Sequence, residues 1–311
     1  MTVSEPDLGI IAVDIGATKL ALHARRGHCR RVTRELWSGA DLDQLAQALT
    51  RAHDWLGGRV DRIGVACAAT LDAGGRVTVW PSRPSWTGQP VLDVISEATA
   101  GAPIVVGDDG GLAALAEAAA AGCANLAYLG LGTGLGGGLV VDGRLVTGAY
   151  GTAGEIGHVP IGRQGQRCRC GRRSCLQATA SGPALAARAT QLRGRLTTES
   201  DLVTALRSGR RWAQRAVDEA AAGLAHGIVI VAELVQPARV HLGGGLGHAL
   251  TDLPTRVSTA LAALSRPGRP LPVVAPARYG ADASLAGALL AARLGGTDLV
   301  AERGEACAQA S

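Results

Sequence analysis

One local design occurs twice in this chain, far apart in sequence. A short apolar strand runs into a glycine-bearing turn, and a second strand returns. The first copy is LGIIAVD (Leu8–Asp14), with the return strand beginning over Leu20–His23. The second opens at Asn125 as LAYLGLGTG and returns as GGGLVVDGRLV, in which Asp142-Gly143 is a strong hairpin-turn signal. Around both copies strands alternate with helices. Arg62–Ala66, Pro103–Val106, Arg239–Leu242 and Leu271–Ala275 read as short strands. Leu42–Leu56 has helical apolar spacing at Leu42, Leu45, Leu49 and Leu56, Leu112–Ala121 and Asp282–Leu294 read as further helices, and 182–236 is helix-rich. Residues 72–88 are loop-rich, punctuated by Gly74, Gly75, Pro81 and Pro84. Such alternation predicts an α/β architecture, and the repeated unit predicts two related domains facing each other across a cleft.

At 311 residues the chain can bury two ordinary cores. It has no Phe and only 3% aromatics, so those cores must rest on Leu, Val, Ile and Ala. The formal charge of +5 raises the question of a nucleic-acid partner. The arginines are scattered, however, with no basic helix and no interleaved aromatics, so no nucleic-acid partner is expected. The polar, acidic opening MTVSEPDL is not a signal peptide, and no apolar run reaches the roughly 18–20 residues that span a bilayer. No membrane partner is expected, and a reducing cytoplasm is the expected location.

Four segments could carry chemistry. In Asp14-Ile15-Gly16-Ala17-Thr18-Lys19, a carboxylate ends a strand and a turn then offers backbone N–H groups, a hydroxyl and an ammonium. That equipment suits phosphate and Mg²⁺, although the spacing is not that of a Walker A loop and an ordinary hairpin turn is the plainer reading. Lys19 is the single lysine among 31 lysines and arginines. The run Gly132-Thr133-Gly134-Leu135-Gly136-Gly137-Gly138 lets backbone approach an anion closely, or is simply a turn in a glycine-rich chain. Gly243, Gly244 and Gly245 follow the strand VHL as a tight turn able to accept a base or ribose. Three glycine turns, each after a strand, make a joint case for a nucleotide. Finally, Asp108 and Asp109 end a strand and precede a helix. One of them could act as general base toward a substrate hydroxyl, or Asp109 could merely cap the helix starting near Gly111.

Residues 154–177 read GEIGHVPIGRQGQRCRCGRRSCLQ. His158, Cys168, Cys170 and Cys175 offer one imidazole and three thiols, which suits a closed tetrahedral structural zinc site. A disulfide is the alternative, but the cytoplasmic composition opposes it and Cys168 and Cys170 are too close in sequence to bridge comfortably. A metal-bound histidine keeps its second ring nitrogen free, so His158 could ligate zinc and also face substrate, with Glu155 sharing the same surface.

Taken together these motifs resemble the repressor–open reading frame–kinase (ROK) family of sugar kinases and regulators, from about Gly9 to Leu294. The most specific part is GEIGH, nine residues, then C-x-C-G-x-x-x-C-L. The resemblance implies a two-lobed actin-like hexokinase (ribonuclease H-like) fold with ATP in the interdomain cleft. The N-terminal lobe would cover 1–117 and the C-terminal lobe 118–281, with the zinc insertion at 155–177. Helix 282–294 would pack back on the first lobe, and 295–311 would form a disordered tail. Asp14, Gly16, Thr18 and Lys19 would form the first phosphate loop, and Thr133, Gly134 and Gly136 the second. Gly243, Gly244 and Gly245 would lie in the adenosine motif. Asp109 aligns with the family's catalytic base, and its distance to Glu117 also fits. Glu155 and His158 look like sugar ligands, with His158 shared with zinc. The implied activity is an ATP:hexose 6-phosphotransferase using ATP, Mg²⁺ and structural Zn²⁺ on a small-molecule sugar, in a homodimer. A non-catalytic sugar-sensing regulator is the other class in the family. The members that bind DNA carry an N-terminal helix-turn-helix domain, for which a first strand beginning by Leu8 leaves no room.

The departures from the pattern bear on the substrate. Where the family has Asn before the catalytic Asp this chain has Asp108, and where it has Glu after Cys-Leu this chain has Gln177. Gly111 replaces a further Asn, Ser82-Arg83 replaces Asn-Leu before Trp86, and Ala68-Ala69 replaces Pro-Gly. In relatives the residue at 108 faces the sugar's 3- and 4-hydroxyls and that at 177 its 1- and 2-hydroxyls. Negative charge has thus moved toward C3, where a substrate ammonium would relieve the repulsion of adjacent carboxylates. The expectation is a 3-amino sugar such as 3-amino-3-deoxyglucose (kanosamine), with glucose or a cyclitol as the alternatives.

Overall fold

The computed structural model describes residues 7–39, 41–163 and 165–298, so the expected tail beyond Asp298 lies outside the described residues. β1 (Ile10–Ile15) is buried at every position, as a central strand covered on both faces must be. A turn returns the chain into β2 (Lys19–Arg26), and a second hairpin adds β3 (Cys29–Leu36) at the sheet edge. The sequence CRRVTREL hides β3, because an edge strand facing solvent carries charge where a core strand would show apolar alternation. α1 (Asp41–Trp55) and β4 (Arg62–Cys67) follow as the apolar spacing predicts. The loop-rich stretch holds a small hairpin, β5 (Thr70–Leu71) and β6 (Val77–Val79), and leads into α2 (Val91–Ala98), which periodicity over so few residues did not mark. β7 (Ile104–Asp108) completes a sheet of order β3-β2-β1-β4-β7, in which β1, β4 and β7 run parallel.

After α3 (Asp109–Ala121) a second sheet is built to the same plan. β8 (Leu126–Leu131), β9 (Leu135–Val141) and β10 (Arg144–Leu145) form the antiparallel part. The second turn of this meander has Asp142 at φ 50° and Gly143 at φ 74°, the pair of positive φ values a two-residue hairpin loop requires. A helical block follows: α4 (Gln177–Ala180), α5 (Gly182–Arg193), α6 (Glu199–Arg207) and the long α7 (Arg211–Val235). Then come β11 (Arg239–Gly243), α8 (Gly244–Ala249), α9 (Leu253–Ala262), β12 (Val273–Pro276) and α10 (Ala283–Leu294). The sheet order β10-β9-β8-β11-β12 matches that of the first sheet strand for strand. The likeness between the segments near residues 14 and 133 is therefore a repeat of topology.

Two helices join the halves. α10 returns to pack on β1, β4 and α3, and α3 packs on β8 and β9. The approach is close enough to need glycine: a side chain at Gly64 of β4 would strike the Ala288 backbone, and one at Gly287 the Leu112 backbone. The end of α3 is tied down by Glu117, which is fully buried. Its carboxylate pairs with His241 Nδ1 at 2.8 Å and accepts the N–H groups of Arg278 and Tyr279, each at 2.9 Å. Burial works to raise the Glu117 pKa, but the hydrogen bonds from His241, Arg278 and Tyr279 outweigh it and hold the carboxyl below its ordinary value. The stability it lends is present above the ordinary Glu pKa of about 4.3 and is lost as pH falls through the lower folded value. Glu117→Ala orphans one imidazole and two backbone donors. It is expected to cost about 3 kcal/mol or more in urea unfolding at pH 7.

Candidate active site

The carboxyl ends of the parallel strands of the first sheet come out together. Register pairs Ile15 with Cys67 and Cys67 with Asp108, so Asp14, Asp108 and Asp109 emerge along one edge. Asp14 is buried and its pKa is pushed up to about 7, by burial first and then by the charge of Asp109, with Lys19 pulling it back. Asp108 is also raised to about 7, by burial, then Asp109, then more weakly Glu155, against the pull of the Gly111 N–H. Asp109 is raised by burial and by Glu155, while the Gly110 N–H opposes the shift.

The capping role falls on the other aspartate from the one expected. Asp108 is the N-cap of α3 and accepts the Gly111 N–H at 3.0 Å. Asp109 is the first helical residue and accepts the Gly110 N–H at 2.7 Å. The helix start and β9 are in backbone contact, since a side chain at Gly110 would meet Gly137 and one at Gly138 would meet Gly110 and Gly111. Gly157, in the short turn after Glu155, is pressed against the Leu135 backbone in the same way. This glycine packing brings Glu155, from the second half, within electrostatic reach of both aspartates.

The three glycine turns divide by what glycine does in each. Gly16 lies in the β1–β2 turn, where its N–H donates to the Lys19 carbonyl at 3.1 Å. In the second turn Gly132 donates to Gly134 O at 2.9 Å, Thr133 is exposed, and Gly136 faces open space. The third is not a free turn: β11 runs directly into α8. Gly244 has φ 77° and its backbone lies against Leu131, Gly243 lies against the Tyr128 ring, and Gly245 is open.

His158, Cys168, Cys170 and Cys175 converge, with one ligand atom from each lying within 4.8 Å of the others. Zinc–sulfur bonds of about 2.3 Å in a tetrahedron imply ligand edges of roughly 3.6–3.8 Å. Cys170 Sγ lies 3.7 Å from Cys175 Sγ, and Cys168 Sγ lies 3.7 Å from His158 Nδ1. The donor set and its spacing fit a structural zinc ion, which would cross-link this segment. The other imidazole nitrogen, Nε2, points to Glu155 at 3.9 Å. Gln177, expected among the sugar ligands, has both ends of its amide occupied. Its Oε1 accepts the Leu135 N–H at 2.9 Å and its Nε2 donates to Cys168 Sγ at 3.7 Å. The metal segment is thereby tied to the second glycine turn. Chelation at pH 7 is expected to lower Tm by about 5 °C or more and to speed hydrogen exchange at the Leu135 amide, with both restored by added Zn²⁺. An unchanged Tm would remove the metal from the account.

Sequence reasoning missed the neighbours of the first turn. Trp37 and Asp41 join Arg83 there, from three separate segments. The only signal was the unusual Ser82-Arg83 pair.

This chain is similar to known proteins in family, sequence and structure. The model for the ROK family matches residues 10–294. The chain is 43% identical to a kanosamine kinase of Amycolatopsis mediterranei, over 91% of this chain and 96% of that protein. It is 30% identical to a glucokinase of Streptomyces coelicolor, over 91% and 97% respectively. Among solved structures, a ROK hexokinase from Thermus thermophilus superposes with a TM-score of 0.80 at 32% identity, covering 93% of this chain and 99% of that one. A ROK glucokinase from Streptomyces griseus, solved with glucose and AMPPNP, gives 0.77 at 27% identity, covering 92% and 99%.

Proposed function

The chain belongs to the ROK family, with the actin-like sugar kinase fold, and from that premise we propose that it transfers the terminal phosphoryl group of ATP to the 6-hydroxyl of kanosamine. That it is a sugar phosphotransferase follows from the kinases it matches along nearly its whole length. The choice of an amino sugar rests on one observation above the others. Asp108 and Asp109 are adjacent, half-buried and mutually repelling, and among the described residues no cationic side chain pairs with either. A substrate ammonium beside Asp108 supplies the missing countercharge. The relative at 43% identity is named for that substrate.

In this reading Asp109 accepts the proton of the sugar 6-hydroxyl as that oxygen bonds to the terminal phosphorus. The bond to ADP breaks with its electron pair leaving on ADP. Asp109 suits the role because it follows the end of β7 as the first residue of α3, with its carboxylate oriented by the Gly110 N–H. Its pKa is raised, chiefly by burial, which makes it a stronger base than an exposed aspartate. Glu155 and His158 hold sugar hydroxyls, and the turns at Gly16–Lys19, Thr133–Gly136 and Gly243–Gly245 receive the nucleotide. Asp14, a buried carboxylate, would hold the divalent cation that accompanies ATP, which would neutralise phosphate charge.

The test is product analysis. Purified protein with Mg·ATP and, separately, glucose, glucosamine, N-acetylmannosamine and kanosamine should give ADP and a kanosamine phosphate of one added phosphoryl by mass. Phosphorus NMR should place that group on the 6-oxygen. No sugar phosphate from any of the four would return the chain to the sugar-sensing class.

A further inference from the structure

Arg83 is a departure from the family pattern that phosphoryl transfer leaves without a task. Its side chain lies in an aromatic box beside the β1–β2 turn. The central guanidinium carbon is 5.1 Å from the Trp37 ring centroid, 5.5 Å from that of Trp86 and 5.8 Å from that of Trp80. Distances of this order are those of cation–π contact. Trp86 meets Trp37 and Trp80 edge-on, at 5.3 and 5.0 Å between centroids. Asp41, the first residue of α1, pairs with the guanidinium and accepts the Trp86 indole N–H at 2.9 Å. Charge, rings and carboxylate together fix Arg83 in one orientation.

The box acts on one side of the turn. Arg83 Nη1 donates to the Ala17 carbonyl at 2.9 Å, Trp37 Nε1 donates to the Gly16 carbonyl at 2.8 Å, and the Trp37 N–H reaches the Thr18 carbonyl at 3.4 Å. In a planar trans peptide the C=O of one residue and the N–H of the next point in opposite directions. Holding the Gly16 and Ala17 carbonyls toward the box therefore aims the Ala17 and Thr18 N–H groups away from it. Among the described residues those two N–H groups donate to nothing. Two fixed, unused donors in one turn make an anion-binding concavity.

We propose that Arg83 is a positioning residue for the phosphoryl donor: with Trp37 it locks the carbonyls of the first turn so that the Ala17 and Thr18 N–H groups are already aimed at the nucleotide's phosphates. The assignment rests on the reading of the chain as an ATP-dependent kinase. It adds a residue outside the family's glycine motifs to the nucleotide site. It also makes Trp37, Trp80 and Trp86 reporters of nucleotide seating, since the same side chains hold the turn and one another.

The experiment compares wild type, Arg83→Leu and Arg83→Lys for the KM of ATP, the KM of the sugar and kcat. Each protein is also titrated with Mg·AMPPNP while tryptophan emission is followed, and melting curves establish folding. Arg83→Leu is expected to raise the ATP KM and the AMPPNP Kd about tenfold or more, as loss of a charged hydrogen bond would. The sugar KM should stay within about twofold, and the emission change on adding nucleotide should shrink. Arg83→Lys keeps a cationic donor for the Ala17 carbonyl and should recover part of the loss. If Arg83→Leu does not fold, Trp37→Phe, which removes the indole N–H on Gly16 and keeps a smaller aromatic ring in the box, decides the matter with an expected rise of about threefold in the same two constants. Folded variants whose ATP KM and AMPPNP Kd stay within twofold of wild type overturn the proposal. So does a loss that falls on the sugar KM instead. If wild type itself neither binds AMPPNP nor makes sugar phosphate, the kinase reading has failed, and the role of Arg83 falls with it.

Discussion

Asp109→Asn is expected to lower kcat by about 10²–10⁴-fold, the range typical for removing a general base. The substitution is nearly isosteric, and the amide oxygen can still accept the Gly110 N–H that Asp109 takes at 2.7 Å. Helix α3 therefore keeps its first turn, and the loss should fall on kcat with the KM values of ATP and sugar little changed. Stability should move the other way. Burial and the Glu155 charge raise the Asp109 pKa, so the folded state holds its proton more tightly than the unfolded chain. The sign of the linkage follows: the group costs nothing below the ordinary Asp pKa of about 3.9, and its cost grows as pH rises through the folded value. The asparagine variant should accordingly melt higher than wild type at pH 8 and show little difference near pH 4, a comparison made by calorimetry without ligands. An inactive variant that is also less stable at pH 8 would point to misfolding and would leave the base unidentified.

Asp108→Asn is expected to exchange specificity for stability. Asparagine caps helices about as well as aspartate, so the bond to the Gly111 N–H at 3.0 Å survives. What disappears is the charge. A charged hydrogen bond to a substrate ammonium is worth roughly 1.5–3 kcal/mol, so kcat/KM for kanosamine should fall about 10–100-fold while that for glucose is unchanged or rises. Asp108 is raised to about 7, chiefly by burial and then by Asp109. In wild type the preference for kanosamine should therefore weaken as pH falls below about 7, where the carboxyl takes up a proton. In the variant the preference should lose that pH dependence. Removing the repulsion should also raise Tm above pH 7. Steady-state kinetics with both sugars at pH 6 and pH 8 reads the preference, and melting curves at pH 8 read the stability. An equal loss for kanosamine and glucose would reduce Asp108 to a helix cap.

Much of the site was legible in the sequence because few residue types can do its work. Asp14 lies next to the last residue of β1 and Asp109 directly follows β7, and strand ends are where parallel sheets expose chemistry. The cluster of His158, Cys168, Cys170 and Cys175 was legible from ligand type and spacing, both local properties. What stayed hidden depended on distance or on a single residue of register. Strand β3 wears charge because it is an edge, and α2 is too short to show a period. The cap moved from Asp109 to Asp108 because helix α3 begins at Asp109 itself. Gln177 was read from its place after Cys-Leu, yet its contacts are with Leu135 and Cys168. The Arg83 box assembles Trp37, Asp41, Trp80 and Trp86, and nothing in their separate sequence contexts forecasts that meeting.

The central claim is that an acidic pair at the end of β7 selects an amine on the sugar. The most direct measurement is the ratio of kcat/KM for kanosamine to that for glucose, taken on the wild-type protein with saturating Mg·ATP at pH 8. The account predicts a ratio of about ten or more, the effect of one charged hydrogen bond. A ratio at or below one would contradict it and leave a glucose kinase in its place.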